Sequence, residues 1–187
     1  MRIISGFHKG KKLLQPLDKA TRPLRDLVKE SIFNLVQHSN YIFKKIENSE
    51  ILDLFSGSGS FGLECISRGA KNVTFIENYP IALNILKKNI HLLKEEKKSK
   101  IIQQDCFEYF KKEKKFFNAF DLIFMDPPYR ETKINIILEV IKKKRMLNNN
   151  GLIIIHKHKK DNTEIYEKFK ILDIRTYGIS KILIINY

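Results

Sequence analysis

The chain has no tryptophan, two cysteines and five prolines in 187 residues. Cys65 and Cys106 form no C-x-x-C pattern. They read as reduced core thiols rather than a disulfide, in keeping with a cytoplasmic protein. Long apolar runs are also missing. Stretches such as "LIII" and "ILII" fall far short of the ~20 residues of a membrane span. The opening "MRIISGFHKGKK" has no continuous apolar stretch after its first charge, so no signal peptide is expected. Acidic residues are scarce beside basic ones, 21 against 35, which leaves a net charge of +14. A polyanionic partner is the natural consequence. The chain is nevertheless rich in Lys, Ile and Asn, and charge alone does not separate nucleic-acid binding from a solubilising surface.

What is present describes a folded domain. Apolar residues make up 43% of the chain, too many for disorder. The length fits one domain, and such a chain removes roughly 70% of its unfolded surface from water. In residues 1–40, "RIISGFHKGKKLLQP" reads as a β-hairpin or extended arm. Pro23 then opens a helix behind Thr21. Leu24, Leu27, Val28, Ile32, Leu35 and Val36 recur at helical spacing. From Ile51 onward, strands are expected at 51–55, 72–77, 100–103, 120–125, 151–156, about 170–176 and about 181–186. Helices are expected near 60–69, 80–95, 106–112, 133–145 and 162–168. Continuous apolar strands such as "DLIFMD" and "GLIIIH" are those of a sheet covered on both faces. The alternation predicts an α/β, Rossmann-like doubly wound fold with a mostly parallel seven-stranded sheet. Only Tyr177–Ser180 separates the last two strands, so they should form an antiparallel hairpin.

In "ILDLFSGSGSFG", Gly57, Gly59 and Gly62 spell G-x-G-x-x-G between a strand and a helix. Such a turn lets backbone approach a ligand closely. Asp53 and Glu64 put negative charge in this neighbourhood. That charge suits the ammonium and sulfonium of S-adenosylmethionine better than a pyrophosphate. Glu77, ending the second strand, matches hydrogen bonding to ribose hydroxyls, which both NAD and S-adenosylmethionine need. Asp105 follows the third strand and can accept from an adenine amino group, with Cys106 or Phe107 along the ring. The loop alone leaves both cofactors open.

The fourth strand ends in Asp126-Pro127-Pro128-Tyr129. Two prolines make a stiff backbone without N–H groups. The Asp126 carboxylate and the Pro127 carbonyl become fixed acceptors. An exocyclic amine on a nucleobase is a poor nucleophile because its lone pair is delocalised. Two rigid acceptors draw it toward tetrahedral geometry and aim the lone pair at a sulfonium methyl. Tyr129 can stack on the extruded base. His156 and His158 lie two apart, without further ligands nearby, so no metal is expected.

"DLFSGSGSFG" followed by "DPPY" resembles the amino-group class of S-adenosylmethionine-dependent methyltransferases. "RIISGFHKGKKL" followed by "TRPLRDLVKESIFN" resembles the bacterial RsmD family, which methylates N2 of guanine 966 in 16S rRNA of the small ribosomal subunit. The resemblance spans nearly the whole chain. Two positions depart from it: Leu24 stands where the family often has threonine, and "IIIHKHK" stands where an acid is expected after the fifth strand. The resemblance implies that Asp53, Phe55, Gly57, Gly59 and Glu77 contact S-adenosylmethionine, with Asp105 and Cys106 at its adenine. Asp126, Pro127 and Tyr129 would hold the guanine. Arg22, Arg25 and Lys29 would contact RNA phosphates or line the cofactor cleft, and Arg2, Lys9, Lys11 and Lys12 would extend the RNA surface. Residues 1–40 would be an extension and 41–187 the methyltransferase domain, working as a monomer. The alternatives are a DNA adenine-N6 methyltransferase, an NAD-dependent oxidoreductase with an all-parallel sheet, and a non-catalytic RNA-binding module.

Overall fold

The computed structural model describes residues 1–18, 24–38, 46–112, 119–128, 131 and 133–187. Its centre is one seven-stranded sheet built from β1 (Glu50–Leu54), β2 (Asn72–Glu77), β3 (Ser99–Gln103), β4 (Phe120–Met125), β5 (Leu147–His158), β6 (Lys170–Tyr177) and β7 (Ser180–Asn186). The strand order is β3-β2-β1-β4-β5-β7-β6. The first five strands run parallel to one another, and β7 runs antiparallel between β5 and β6. The sheet is therefore mostly parallel with a terminal antiparallel hairpin, as the alternation predicts. The all-parallel sheet of the dehydrogenase alternative is not found.

Period-two alternation sorts the strand side chains onto two faces. Ile51, Val73, Phe75, Leu122, Phe124, Leu152, Ile154, Ile182 and Ile184 share one cluster with residues of the arm, α1 (Asp26–His38), α2 (Ser60–Ser67) and α3 (Pro80–Leu93). Leu52, Leu54, Ile76, Ile123, Met125, Ile153, Ile155, Leu183 and Ile185 pack with α4 (Cys106–Lys112) and α5 (Ile134–Lys143). Three aromatic rings tie the first face together. Phe61 stacks on Phe124 at 3.9 Å and on Phe33 at 5.1 Å.

The N-terminal arm lies along α2. A single antiparallel bridge joins Arg2 to Lys12. Its turn is held where the Phe7 N–H donates to the Ser67 carbonyl at 2.8 Å. At its open end, the Leu14 N–H donates to Asn89 Oδ1, while Asn89 Nδ2 donates to the Ser58 carbonyl in the glycine loop. Ile3 and Leu13 belong to the same core as the sheet, so the arm and the domain share apolar burial.

Two expectations are corrected. No helix forms at 162–168. The Asp161 carboxylate accepts the Thr163 N–H at 2.7 Å, and the nearly buried Lys157 ammonium binds Asp161 and the Thr163 carbonyl. These local bonds compete with a helix too short to sustain itself. The helical stripe in α1 also differs from the expected one: Leu27 is 68% exposed, while Phe33 is buried. Thr21 and Pro23 lie outside the described residues; α1 begins at Asp26.

Candidate functional site

A doubly wound sheet offers a crevice where the strand order reverses, beyond the carboxyl ends of the strands. Here that point falls between β1 and β4. Leu54 pairs with Met125, and the Asp126 N–H approaches the Leu54 carbonyl at 3.4 Å. The glycine loop after β1 and the Asp-Pro-Pro turn after β4 are thereby neighbours, although about seventy residues of chain separate them.

The loop takes an unusual backbone path. Phe55, Gly57 and Gly59 all have positive φ, at 56°, 56° and 81°. The Phe55 value is uncommon for a side chain of its size. Ser56 Oγ donates to the Asp53 and Ile76 carbonyls, which fixes the turn against β2. Gly62 is required for close packing. A Cβ there would lie 2.4 Å from the Phe75 ring.

Carboxylates line the crevice. Asp53 is 1% exposed and accepts the Gly62 N–H at 3.0 Å. Burial holds its carboxyl well above the usual aspartate range, and the charges of Asp126 and Glu77 push the same way. Glu77 accepts three backbone donors, the Asn78 N–H at 2.9 Å and Tyr79 N–H at 2.8 Å on Oε1 and the Gly57 N–H at 2.7 Å on Oε2. It clamps the glycine loop onto the end of β2. Asp105 caps α4 by accepting the Phe107 and Glu108 N–H groups, and its other oxygen accepts from Asn78 Nδ2. Cys106 is buried, and that burial pushes its thiol far up. The rings of Phe55 and Phe107 lie 6.0 Å apart beside it.

Asp53, Phe55, Gly57, Gly59, Glu77, Asp105, Cys106, Asp126 and Pro127 thus gather at one end of the sheet. Tyr129 and Arg22 lie outside the described residues. Arg2, Lys9, Lys11, Lys12 and Arg25 are all exposed. Lys29 is not available to an RNA phosphate. Its side chain is 0% exposed, donating to the Arg2 carbonyl at 2.7 Å and facing Glu64 at 3.5 Å. Glu64 is likewise turned away from the cofactor crevice. It accepts the Ile4 and Ser5 N–H groups and Arg68 Nε, so its charge anchors the arm.

One residue of the site was assigned no role from sequence. His156, at 2% exposure, places Nδ1 2.8 Å from Asp126 Oδ1. The signal was in the strand ends. Leu122–Met125 and Leu152–Ile155 pair in register, so the polar residue after each quartet must meet its neighbour.

The strand order and the glycine and Asp-Pro-Pro turns at its switch point define a Rossmann-like methyltransferase fold. The family model described as Conserved hypothetical protein 95 matches residues 1–186. The chain belongs to this family, the RsmD family. It is 34% identical over 180 residues to the Haemophilus influenzae protein named Ribosomal RNA small subunit methyltransferase D, covering 96% of this chain and 90% of that one. It is 32% identical over 185 residues to YlbH of Bacillus subtilis, covering 98% and 97%. The solved structure of Haemophilus influenzae HI0767 superposes with a TM-score of 0.78 at 32% identity, covering 98% of this chain and 96% of that one. That of Escherichia coli yhhF superposes at 0.81 and 24% identity, covering 99% and 96%, and shows the shared fold.

Proposed function

We propose that this protein transfers a methyl group from S-adenosylmethionine to the exocyclic N2 of one guanine, guanine 966, in 16S rRNA of the small ribosomal subunit. The observation that carries the proposal is the adjacency of the glycine loop and Asp126 across the β1–β4 switch point. The family relationship to proteins named for small-subunit rRNA methylation supports the substrate class.

The residues present fit the cofactor. Asp53, Glu77 and Asp126 place three carboxyl groups where the strands end, and a ligand carrying sulfonium and ammonium groups favours their ionised forms. Glu77 supplies acceptors for ribose hydroxyls, and Phe55 with Phe107 offers apolar ring faces to an adenine. S-adenosylmethionine, when bound, supplies an electrophilic methyl carbon.

The chain's own groups prepare the acceptor amine. The Asp126 carboxylate and Pro127 carbonyl accept its two N–H groups and localise its lone pair. The new C–N bond forms as the C–S bond breaks, with its electron pair leaving on sulfur. The nitrogen then carries positive charge beside Asp126, which stabilises it and receives the surplus proton. Catalysis is therefore positioning plus electrostatic stabilisation. Tyr129 stacks on the base, and Arg2, Arg22, Arg25, Lys9, Lys11 and Lys12 contact the RNA backbone.

The test is methyl transfer from labelled S-adenosylmethionine to small subunits from cells lacking the enzyme, followed by digestion to nucleosides. N2-methylguanosine at one position, absent with Asp126→Ala, is the expected result. Label on duplex DNA as N6-methyladenine, with none on subunits, would overturn the ribosomal assignment.

A further inference from the structure

His156 follows Ile155, the last residue of β5 in register with β4, where it pairs with Met125, and it pairs with Ile182 of β7 on its other side. Its backbone is therefore held in β5 just beyond the end of β4, with its ring buried. Its Nδ1 lies 2.8 Å from Asp126 Oδ1. An ionised carboxylate only accepts hydrogen bonds, so the imidazole is the donor and carries its proton on Nδ1.

A lone aspartate at a strand end turns easily. Its terminal torsion is broad and two-fold, so either oxygen can face a substrate at a range of angles. A donor on a fixed ring selects one oxygen and one plane.

We propose that His156 is a positioning residue for methyl transfer, holding Asp126 Oδ1 through Nδ1–H and so fixing the plane in which the carboxylate meets the target amine. This rests on the assignment of Asp126 as amine acceptor. The expected signature is a defect in turnover rather than in binding, because His156 acts on the group that organises the reacting nitrogen. Small misplacements of such groups cost on the order of hundred-fold in rate.

The experiment is steady-state methyl transfer to small subunits lacking the modification, with wild type, His156→Leu, His156→Asn, His156→Gln and Asp126→Asn. The asparagine amide nitrogen occupies the place of Nδ1; the glutamine nitrogen occupies that of Nε2. His156→Leu should lower kcat by roughly ten- to hundred-fold, leaving KM for both substrates within about two-fold. His156→Asn should recover most of the rate, and His156→Gln should not. Equal rates for the Asn and Gln variants, or a wild-type rate for His156→Leu, would overturn the role of His156. The Asn and Gln pair decides the question if the leucine variant does not fold. A wild-type rate for Asp126→Asn would instead overturn the assignment of Asp126 on which the role rests.

Discussion

The Lys29 ammonium faces the Glu64 carboxylate at 3.5 Å, and neither side chain is exposed to solvent. Around them, the Arg2 carbonyl, the Ile4 and Ser5 N–H groups, Ser60 Oγ and the Arg68 guanidinium complete a closed polar network. It joins α1, α2 and the arm. Burial lowers the Lys29 pKa below the usual lysine range, with Glu64 opposing the shift. Removing one partner strands the other charge in the interior. Lys29→Met or Glu64→Leu should each cost about 3–5 kcal/mol, and the double replacement should cost clearly less than their sum. Chemical denaturation of the two single variants and the double variant checks this.

Asp53 should link cofactor binding to pH. Its folded carboxyl titrates well above the ordinary aspartate range because it is buried. The folded apo protein then holds a proton that the unfolded chain has already lost. Its contribution to stability is largest below the unfolded pKa and falls as pH rises toward the folded one. A cationic ligand favours the ionised form, so binding releases that proton. The affinity for S-adenosylmethionine should rise with pH through this window. Asp53→Asn keeps an acceptor for the Gly62 N–H and should flatten the dependence. Calorimetry in buffers of differing ionisation enthalpy reads the proton directly.

Much of this architecture was legible in the chain. The apolar quartets of β4 and β5, the glycine turn and the short Tyr177–Ser180 connection each follow from local pattern. What was not legible depends on partners distant in sequence. Lys29 sits in a helix and reads as a contact to RNA phosphate or to the cofactor cleft until Glu64 and the Arg2 carbonyl enclose it. Glu64 reads as a cofactor-side acid until its oxygens prove to bind Ile4 and Ser5. The 159–169 connection carries enough helix-forming residues to be read as helical, yet Asp161 and Lys157 tie it into turns. His156 acquires a role only once strand register sets it beside Asp126.

Glu77 holds the glycine loop and is the ribose acceptor in the proposed function. Its three backbone donors make it a support of the loop even without ligand. Hydrogen bonds to charged groups contribute about 1.5–3 kcal/mol. Glu77→Ala should therefore weaken S-adenosylmethionine binding by roughly ten- to hundred-fold and lower stability as well. Glu77→Gln should retain more of the stability than of the affinity, since one oxygen can still accept from the loop. Isothermal titration beside thermal melts separates the two effects.

The arm lysines should act on RNA alone. Lys9, Lys11 and Lys12 are exposed on a segment whose backbone is pinned to α2 and α3 through Ser67 and Asn89. Their side chains lie outside the network that holds the arm, so changing them leaves the fold and the cofactor crevice in place. Each phosphate contact to single-stranded RNA adds a slope of about −0.7 to the dependence of log K on log salt. Replacing all three by alanine should weaken binding to a small-subunit RNA fragment and reduce the salt slope by about 2. Affinity for S-adenosylmethionine should not change. Lys29→Met should show the opposite pattern, with lost stability and, in the fraction that remains folded, an unaltered salt slope, because its ammonium never reaches the surface. Filter binding across a salt series on both variants distinguishes an arm that tracks the RNA backbone from one that only covers the core.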